Sequence, residues 1–326
     1  KNHIQNSNSK IQVFLISNKY KFKHKLLKII FISISISYLI LKLLIYKYFK
    51  GIKIKLITFT IIPNILGRFL KKAKLADKLI TSIRNQKFDS EKINLILKNT
   101  NSIDDFTIYN SKESRKECLK QSFSKPANSH IVYNLIDSKK SKPINLFHEY
   151  NKRSFAYVGR FEKQKGIDTL IEAIKLLPNN LKFIVEFNFY GEGSLFDYLL
   201  IQERLININK KNIILKIHGW NSSPFTKGFN FLIIPSRWEG FPNVLIEGVQ
   251  NKKIIIANNV GGIKDFASFY KTKYIKKIKD PKTLSSLIKN CLNLDKKEAI
   301  QIIRNQKKAL KSFYEDNEVK CWQDFI

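Results

Sequence analysis

Arg160, Lys165, Glu239 and Glu247 have the types and the setting to hold an anion and a set of hydroxyl groups. Arg160 follows Gly159, and Lys165 precedes Gly166, just after an apolar run that reads as a strand. Two cations on such a loop can converge on a diphosphate while glycine backbone approaches it closely. Glu239 lies within Pro235-Ser236-Arg237-Trp238-Glu239-Gly240-Phe241-Pro242-Asn243, and Glu247 lies about one and a half turns into the helix that Pro242 opens. From different heights the two carboxylates can hold a sugar hydroxyl and a ribose. The free amides at the start of that helix are an anion site in themselves.

Other readings of these residues stay open at this level. In a chain this rich in lysine, Arg160 and Lys165 fit an ordinary solvated loop equally well; Glu239 could cap the helix, and Glu247 could lie on its surface. Gly191-Glu192-Gly193 alone is a weak signal, because glycine pairs follow strands in many doubly wound folds. His218, before Gly219 and Trp220, could equally be a core histidine. The order of the whole series carries more weight. Ten of the 12 glycines lie between Gly159 and Gly262, at the ends of apolar runs where a phosphate-binding turn needs them.

The elements that must position these residues alternate regularly. Strands are predicted at Ser154–Val158, Leu181–Tyr190, Ile213–His218, Phe231–Pro235 and Ile254–Ala257. Helices are predicted at Gly166–Leu177, Leu195–Asn207, Pro242–Gln250, Pro281–Leu294 and Lys296–Phe313. That alternation implies a parallel sheet with helices on both faces and a ligand beyond the carboxyl ends of the strands. In the first half, Ile11–Ser17, Lys53–Phe59, Leu79–Ile83, Phe106–Asn110 and His130–Asn134 read as strands or strand ends. Leu26–Tyr48 and Asn64–Ala76 read as mainly helical, the former as a buried element. Ser138–Arg153 is the linker candidate between a domain at 1–150 and one at 151–326, and the last helix is a candidate to cross back.

Val158-Gly159-Arg160 with Lys165-Gly166, Tyr190-Gly191-Glu192-Gly193, and Pro235-Ser236 through Glu247 resemble the family-4 retaining glycosyltransferases, over roughly Ser154–Ala267. The resemblance implies the GT-B fold: α/β, with two doubly wound Rossmann-like domains facing a cleft. It implies that Arg160 and Lys165 bind the donor diphosphate, that Glu239 contacts the donor sugar, and that Glu247 holds the ribose. Gly159, Gly191, Gly193, Gly240, Phe241, Pro242 and Asn243 would complete the donor site, with His218, Gly219 and Trp220 near the base. Upstream, Ser82-Ile83-Arg84-Asn85, Asn110-Ser111 and Val132–Asp137 also resemble segments of the acceptor-side domain; Arg84 and Asn85, and separately Asn64, are the acceptor-side candidates. Gly248 and Asn251 stand where the family usually has alanine and glycine. No glycine precedes Gly51, so the first strand-helix unit is expected to be missing or degenerate, which would remove part of the cleft wall.

Composition narrows the partners. Three cysteines without metal-like spacing give no support to a disulfide framework or zinc site and point to a reducing compartment. The net charge of +33 suits phosphates or an anionic leaflet, although scattered lysine reads first as a solvated face. Nucleic acid ranks last, because no motif for it appears. The uncharged run Ile29–Leu41 is short of the ~20 residues that span a bilayer. No Asp-x-Asp occurs, so the diphosphate would be met by cations and helix amides, with no metal or other cofactor.

The expected activity is cytoplasmic transfer of a hexose or N-acetylhexosamine, peripheral at the membrane's inner face. The donor would be a nucleotide-diphosphate sugar and the acceptor a polysaccharide or lipid-linked glycan of the cell surface. The competing expectations are a GT-B nucleotide-sugar epimerase and a truncated relative that binds donor without turnover.

Overall fold

The computed structural model describes residues 25–84, 90–134, 152–220, 225, 228–316 and 325. Its strands form two sheets flanked by helices, as the alternation predicts. One sheet has four strands in the order β1-β2-β3-β4: Lys55–Phe59, Lys78–Ile83, Phe106–Tyr109 and Ser129–Ile131. The other has six, β5 (Lys152–Val158), β6 (Ile184–Tyr190), β7 (Ile213–His218), β8 (Phe231–Ile234), β9 (Ile254–Asn258) and β10 (Ile275–Lys276), in the order β10-β9-β8-β5-β6-β7. The chain divides into two compact units, Lys1–Thr81 with Ile103–Asp105, and Ser82–Ser102 with Phe106–Ile326.

In the smaller unit, α1 (Lys25–Leu44) runs on into a π-helical turn, Ile45–Phe49, and α2 (Ile61–Lys72) follows β1 with Pro63 in its first turn, where no helical N–H is lost. Leu39 and Leu43 of α1 pack with Ile54, Leu70, Leu75 and Ala76. The expectation that Leu26–Tyr48 is buried is corrected here. Only 11% of the apolar window Ile32–Phe49 is buried, because one face of the helix suffices to cover that small core. That window is long and apolar enough to cross a membrane by length and composition. Arg68 and Asp104 form a fully buried, two-pronged ion pair, Nε to Oδ1 at 2.9 Å and Nη2 to Oδ2 at 2.6 Å, and the Thr81 hydroxyl donates to Oδ2 at 2.8 Å.

The larger unit holds two helices absent from the sequence reading, α3 (Glu91–Asn99) and α4 (Lys112–Lys120). α4 is polar, so an apolar stripe does not announce it, and α3 carries Ile93, Ile96 and Leu97 within only nine residues, too short a run to set a helical period. Their starts are set by side chains: Ser90 Oγ accepts from Ile93 N and Ser111 Oγ from Ser114 N. The six-stranded sheet is parallel and covered on both faces, which is why β8, Ile254–Ala257 of β9 and Phe155–Val158 of β5 are unbroken apolar runs, while Glu186 and Asn188 interrupt β6 and Lys216 interrupts β7.

Alternate residues of those strands feed two cores. Phe155, Phe187, Phe231 and Ile256 pack against α5 (Ile167–Lys175), α6 (Phe196–Asn209) and α9 (Pro281–Leu292). Ala156, Leu232, Ile234 and Ile255 face α7 (Asn243–Gln250), α8 (Gly262–Ala267) and α10 (Lys296–Asp316). Phe155 is stacked between Phe187 at 5.0 Å and Phe231 at 4.6 Å, and truncating it to alanine would cost about 3–5 kcal/mol.

Candidate active site

The strand order places the site. Counting β5 to β10 as first to sixth, the order reverses between the first strand, β5, and the fourth, β8. At such a switch point the loops leaving the two strands diverge to opposite faces and open a crevice at their carboxyl ends. The loop after β5 carries Gly159, Arg160 and Lys165; the loop after β8 carries Ser236, Glu239 and Gly240.

These two loops are tied together. Lys165 Nζ meets Glu239 Oε1 at 2.6 Å, and Ser236 Oγ donates to the same oxygen at 2.7 Å. Oε2 has no donor among the described residues and is open to a hydroxyl. Glu239 is almost buried, with 8% of its side chain exposed, whereas Lys165 is 20% exposed. Arg237 N donates to Gln164 O at 2.9 Å, and Gln164 Nε2 to Trp238 O at 3.3 Å. Gly166 is in the left-handed region (φ +67°), and a Cβ there would collide with Pro235 O. Asn258 supports the arrangement from β9, donating to Ser236 O at 2.8 Å.

Arg160 is exposed, with Nη2 on Gln164 Oε1 at 3.1 Å. Its carbonyl accepts from the Tyr157 hydroxyl at 2.6 Å, and burial, followed by the Glu239 charge, pushes that phenol's pKa up, so it stays a donor. Gly191 and Gly193 follow β6, and Phe161 N donates to the Glu192 carbonyl between them at 2.8 Å. His218 ends β7, stacked on Tyr190 at 4.6 Å with Nε2 2.9 Å from Asn188 Oδ1; Gly219 and Trp220 beyond it are exposed. Glu247 projects from α7 and has no side-chain partner among the described residues.

The Gly240–Asn243 segment is seated by Asn134, Asn110 and Arg84. A Cβ on Gly240 would collide with Arg84 O and the Asn110 side chain. Asn134 Oδ1 accepts from Arg84 Nη1 at 2.6 Å, while its Nδ2 donates to Phe241 O at 2.9 Å and to Asn243 Oδ1 at 2.6 Å. Phe241 is buried beneath Tyr133 (5.5 Å) and Phe313 (5.3 Å), and Tyr314 of α10 donates to Asn134 O at 2.8 Å. Pro242 precedes α7 in extended conformation. Asn64 is buried in the smaller unit, where Thr58 Oγ1 donates to its Oδ1 at 2.8 Å; Asn85 and residues 135–151 of the linker region lie outside the described residues. No three His, Cys, Asp or Glu side chains among the described residues cluster as a metal site would require.

Sequence reasoning singled out Lys165 and Glu239 but not their contact, and it missed Gln164, Ser236 and Asn134 as site residues. The Asn that follows three of the first-half strands, at Asn85, Asn110 and Asn134, was the available signal for Asn134.

The family described as glycosyl transferases group 1 matches residues 138–309. The chain belongs to that family. It is 35% identical over 137 residues to an uncharacterized glycosyltransferase of Methanocaldococcus jannaschii, covering 41% of this chain and 35% of that one. It is 27% identical over 209 residues to a UDP-Gal:alpha-D-GlcNAc-diphosphoundecaprenol alpha-1,3-galactosyltransferase of Escherichia coli, covering 56% and 53%. The chain thus spans about half or less of the length of these relatives. In fold it resembles Anabaena HepE, whose crystal structure is a complex with UDP and glucose, with a TM-score of 0.64 at 16% identity over 86% of this chain and 77% of that one.

Proposed function

We propose that this group 1 member moves a sugar, with retention and without a metal ion, from a nucleotide-diphosphate donor to a polysaccharide or lipid-linked acceptor in surface-glycan synthesis. The observation that carries this reading is the Lys165–Glu239 contact at the switch point, where a cation meant for a diphosphate and a carboxylate meant for a sugar are held in register. The Escherichia coli relative's undecaprenol-linked acceptor and the UDP and glucose bound to HepE point to the same chemistry.

In this reading Lys165 and Arg160 take up charge on the departing diphosphate, assisted by the free amides at the start of α7. Glu239 Oε2 accepts from a sugar hydroxyl and fixes the ring while positive charge develops at the anomeric carbon. Departure and attack on one face, through an oxocarbenium-like state, retain the anomeric configuration. Glu247 holds the ribose, a contact made equally in ground and transition states. Glu247→Ala then raises the donor KM and leaves kcat near wild type.

The test is release of nucleoside diphosphate from a panel of nucleotide sugars, uridine diphosphate sugars first, with lipid-linked acceptors and with chelator. Turnover that survives chelator, with a product of the donor's anomeric configuration by NMR, is the expected result. Turnover abolished by chelator and restored by magnesium overturns metal independence; interconversion of donors without transfer identifies an epimerase.

A further inference from the structure

Ile34, Tyr38, Leu41, Ile45, Tyr48 and Phe49 form one continuous exposed stripe along α1 and its π-helical extension; Phe49 is 85% exposed. The steps of four and three residues keep the first five on a single helix face. The opposite face, through Leu39 and Leu43, is committed to the unit's own core. The helix therefore has two apolar sides, of which the fold uses one.

The charge around the stripe is one-sided. Asp77 is the first acidic residue of the chain, and sixteen lysines and arginines precede it. Residues 77–326 carry all 26 carboxylate side chains, so a uniform lysine-rich composition does not account for their absence here. Asp77 is itself occupied, bound to Lys47 at 2.7 Å and to Ile54 N at 2.7 Å. Lys50 and Lys53, which follow Phe49 in the chain, are exposed, and the Lys42 ammonium lies over the Tyr38 ring at 5.8 Å.

We propose that this face docks in the interface of a bilayer leaflet rich in anionic lipid, with α1 lying in the membrane plane. Apolar side chains edged by tyrosines and lysines are the composition that sits at headgroup level. Spanning is disfavoured, because a helix crossing the bilayer would give up the packing of Leu39 and Leu43 and the Lys47–Asp77 pair. A second copy is disfavoured too, because two-fold pairing would set an acid-free cationic face against itself. Docking at this face does not depend on the proposed reaction.

The test is co-sedimentation of the whole chain, without nucleotide sugar, with vesicles of phosphatidylcholine alone or containing phosphatidylglycerol. Binding is expected only with the anionic lipid, and it should fall steeply from 0.1 to 1 M salt as the screening length drops from about 10 to about 3 Å. Tyr48→Ser with Phe49→Ser is expected to weaken it about tenfold or more, and Lys50→Glu with Lys53→Glu to weaken it likewise, both with unchanged melting temperature because the replaced side chains are exposed. Equal binding to neutral vesicles, indifference to both double substitutions, resistance to alkaline carbonate extraction, or a dimer that Phe49→Ser converts to monomer would each overturn the proposal.

Discussion

Two of the short ion pairs among the described residues have opposite character. Arg68 and Asp104 are each 1% exposed, and both carboxylate oxygens are engaged, with Thr81 added. Lys165 and Glu239 sit at a crevice edge, and both donors crowd onto one oxygen while the other is left open. A dry pair with its hydrogen bonds complete can only hold the fold. A half-used pair at a strand end can trade partners with a ligand. Saturation, more than distance, separates the structural charge pair from the working one.

The largest expected effect tests the first half of that contrast. Arg68→Ala strands the Asp104 charge in the interior and should cost about 3–5 kcal/mol in denaturant titration. A double change, Arg68→Met with Asp104→Leu, should recover most of that loss, because it removes both charges together. If the single and double variants unfold alike, the loss does not come from a stranded Asp104 charge.

Lys165→Ala should do the reverse. Its expected cost is about 100- to 1000-fold in turnover, or ~2.7–4 kcal/mol of barrier, with only about 1 kcal/mol of stability lost because Glu239 retains Ser236. A variant that melts early but turns over normally would make Lys165–Glu239 a second structural pair and erase the contrast.

Asn134 tests whether the working pair needs a seat. Asn134→Ala leaves Arg84 and the Phe241 carbonyl short of a partner and should cost about 1–3 kcal/mol, with donor KM rising because the start of α7 loosens. Asn134→Asp keeps an acceptor for Arg84 but loses the donors to Phe241 O and Asn243, so it should rescue stability in part and donor affinity less.

The smallest effect belongs to Arg237–Asp168, a two-pronged but exposed pair at 2.7 and 2.9 Å. Asp168→Asn should change stability by about 0–1 kcal/mol. Burial works to raise the Asp168 carboxyl, but the Arg237 hydrogen bonds and neighbouring amides outweigh it and hold its pKa below the ordinary value. Its contribution is therefore fully present above the unfolded carboxylate range and fades as pH falls through the lowered folded value. Acid titration of wild type against Asp168→Asn reads that difference.

Much of this was legible in the residues. Phe155–Val158 of β5, β8 and Ile254–Ala257 of β9 are apolar on both faces, so they stood out as runs, and turn glycines marked their ends. Lys165 and Glu239 were visible because the chain spells the loops on which they lie. Asn134 was not, because its partners Arg84, Phe241 and Asn243 are remote in sequence and only the fold assembles them. The short helices α3 and α4 escaped because each is nine residues long and begins at a serine cap, and α4 has no apolar stripe at all. For α1 the composition announced an apolar helix but could not say that one of its faces is exposed among the described residues.

Gly166 and Pro235 touch through bare backbone, and that contact is flanked by Lys165–Glu239, Arg237–Gln164 and Gln164–Trp238. The loops after β5 and β8 therefore behave as one inherited part. A loop grafted from a relative onto either strand alone would bring a side chain or a carbonyl into a space already filled. Exchange of donor preference between family members would require both segments to move together, although about seventy residues separate them in the chain.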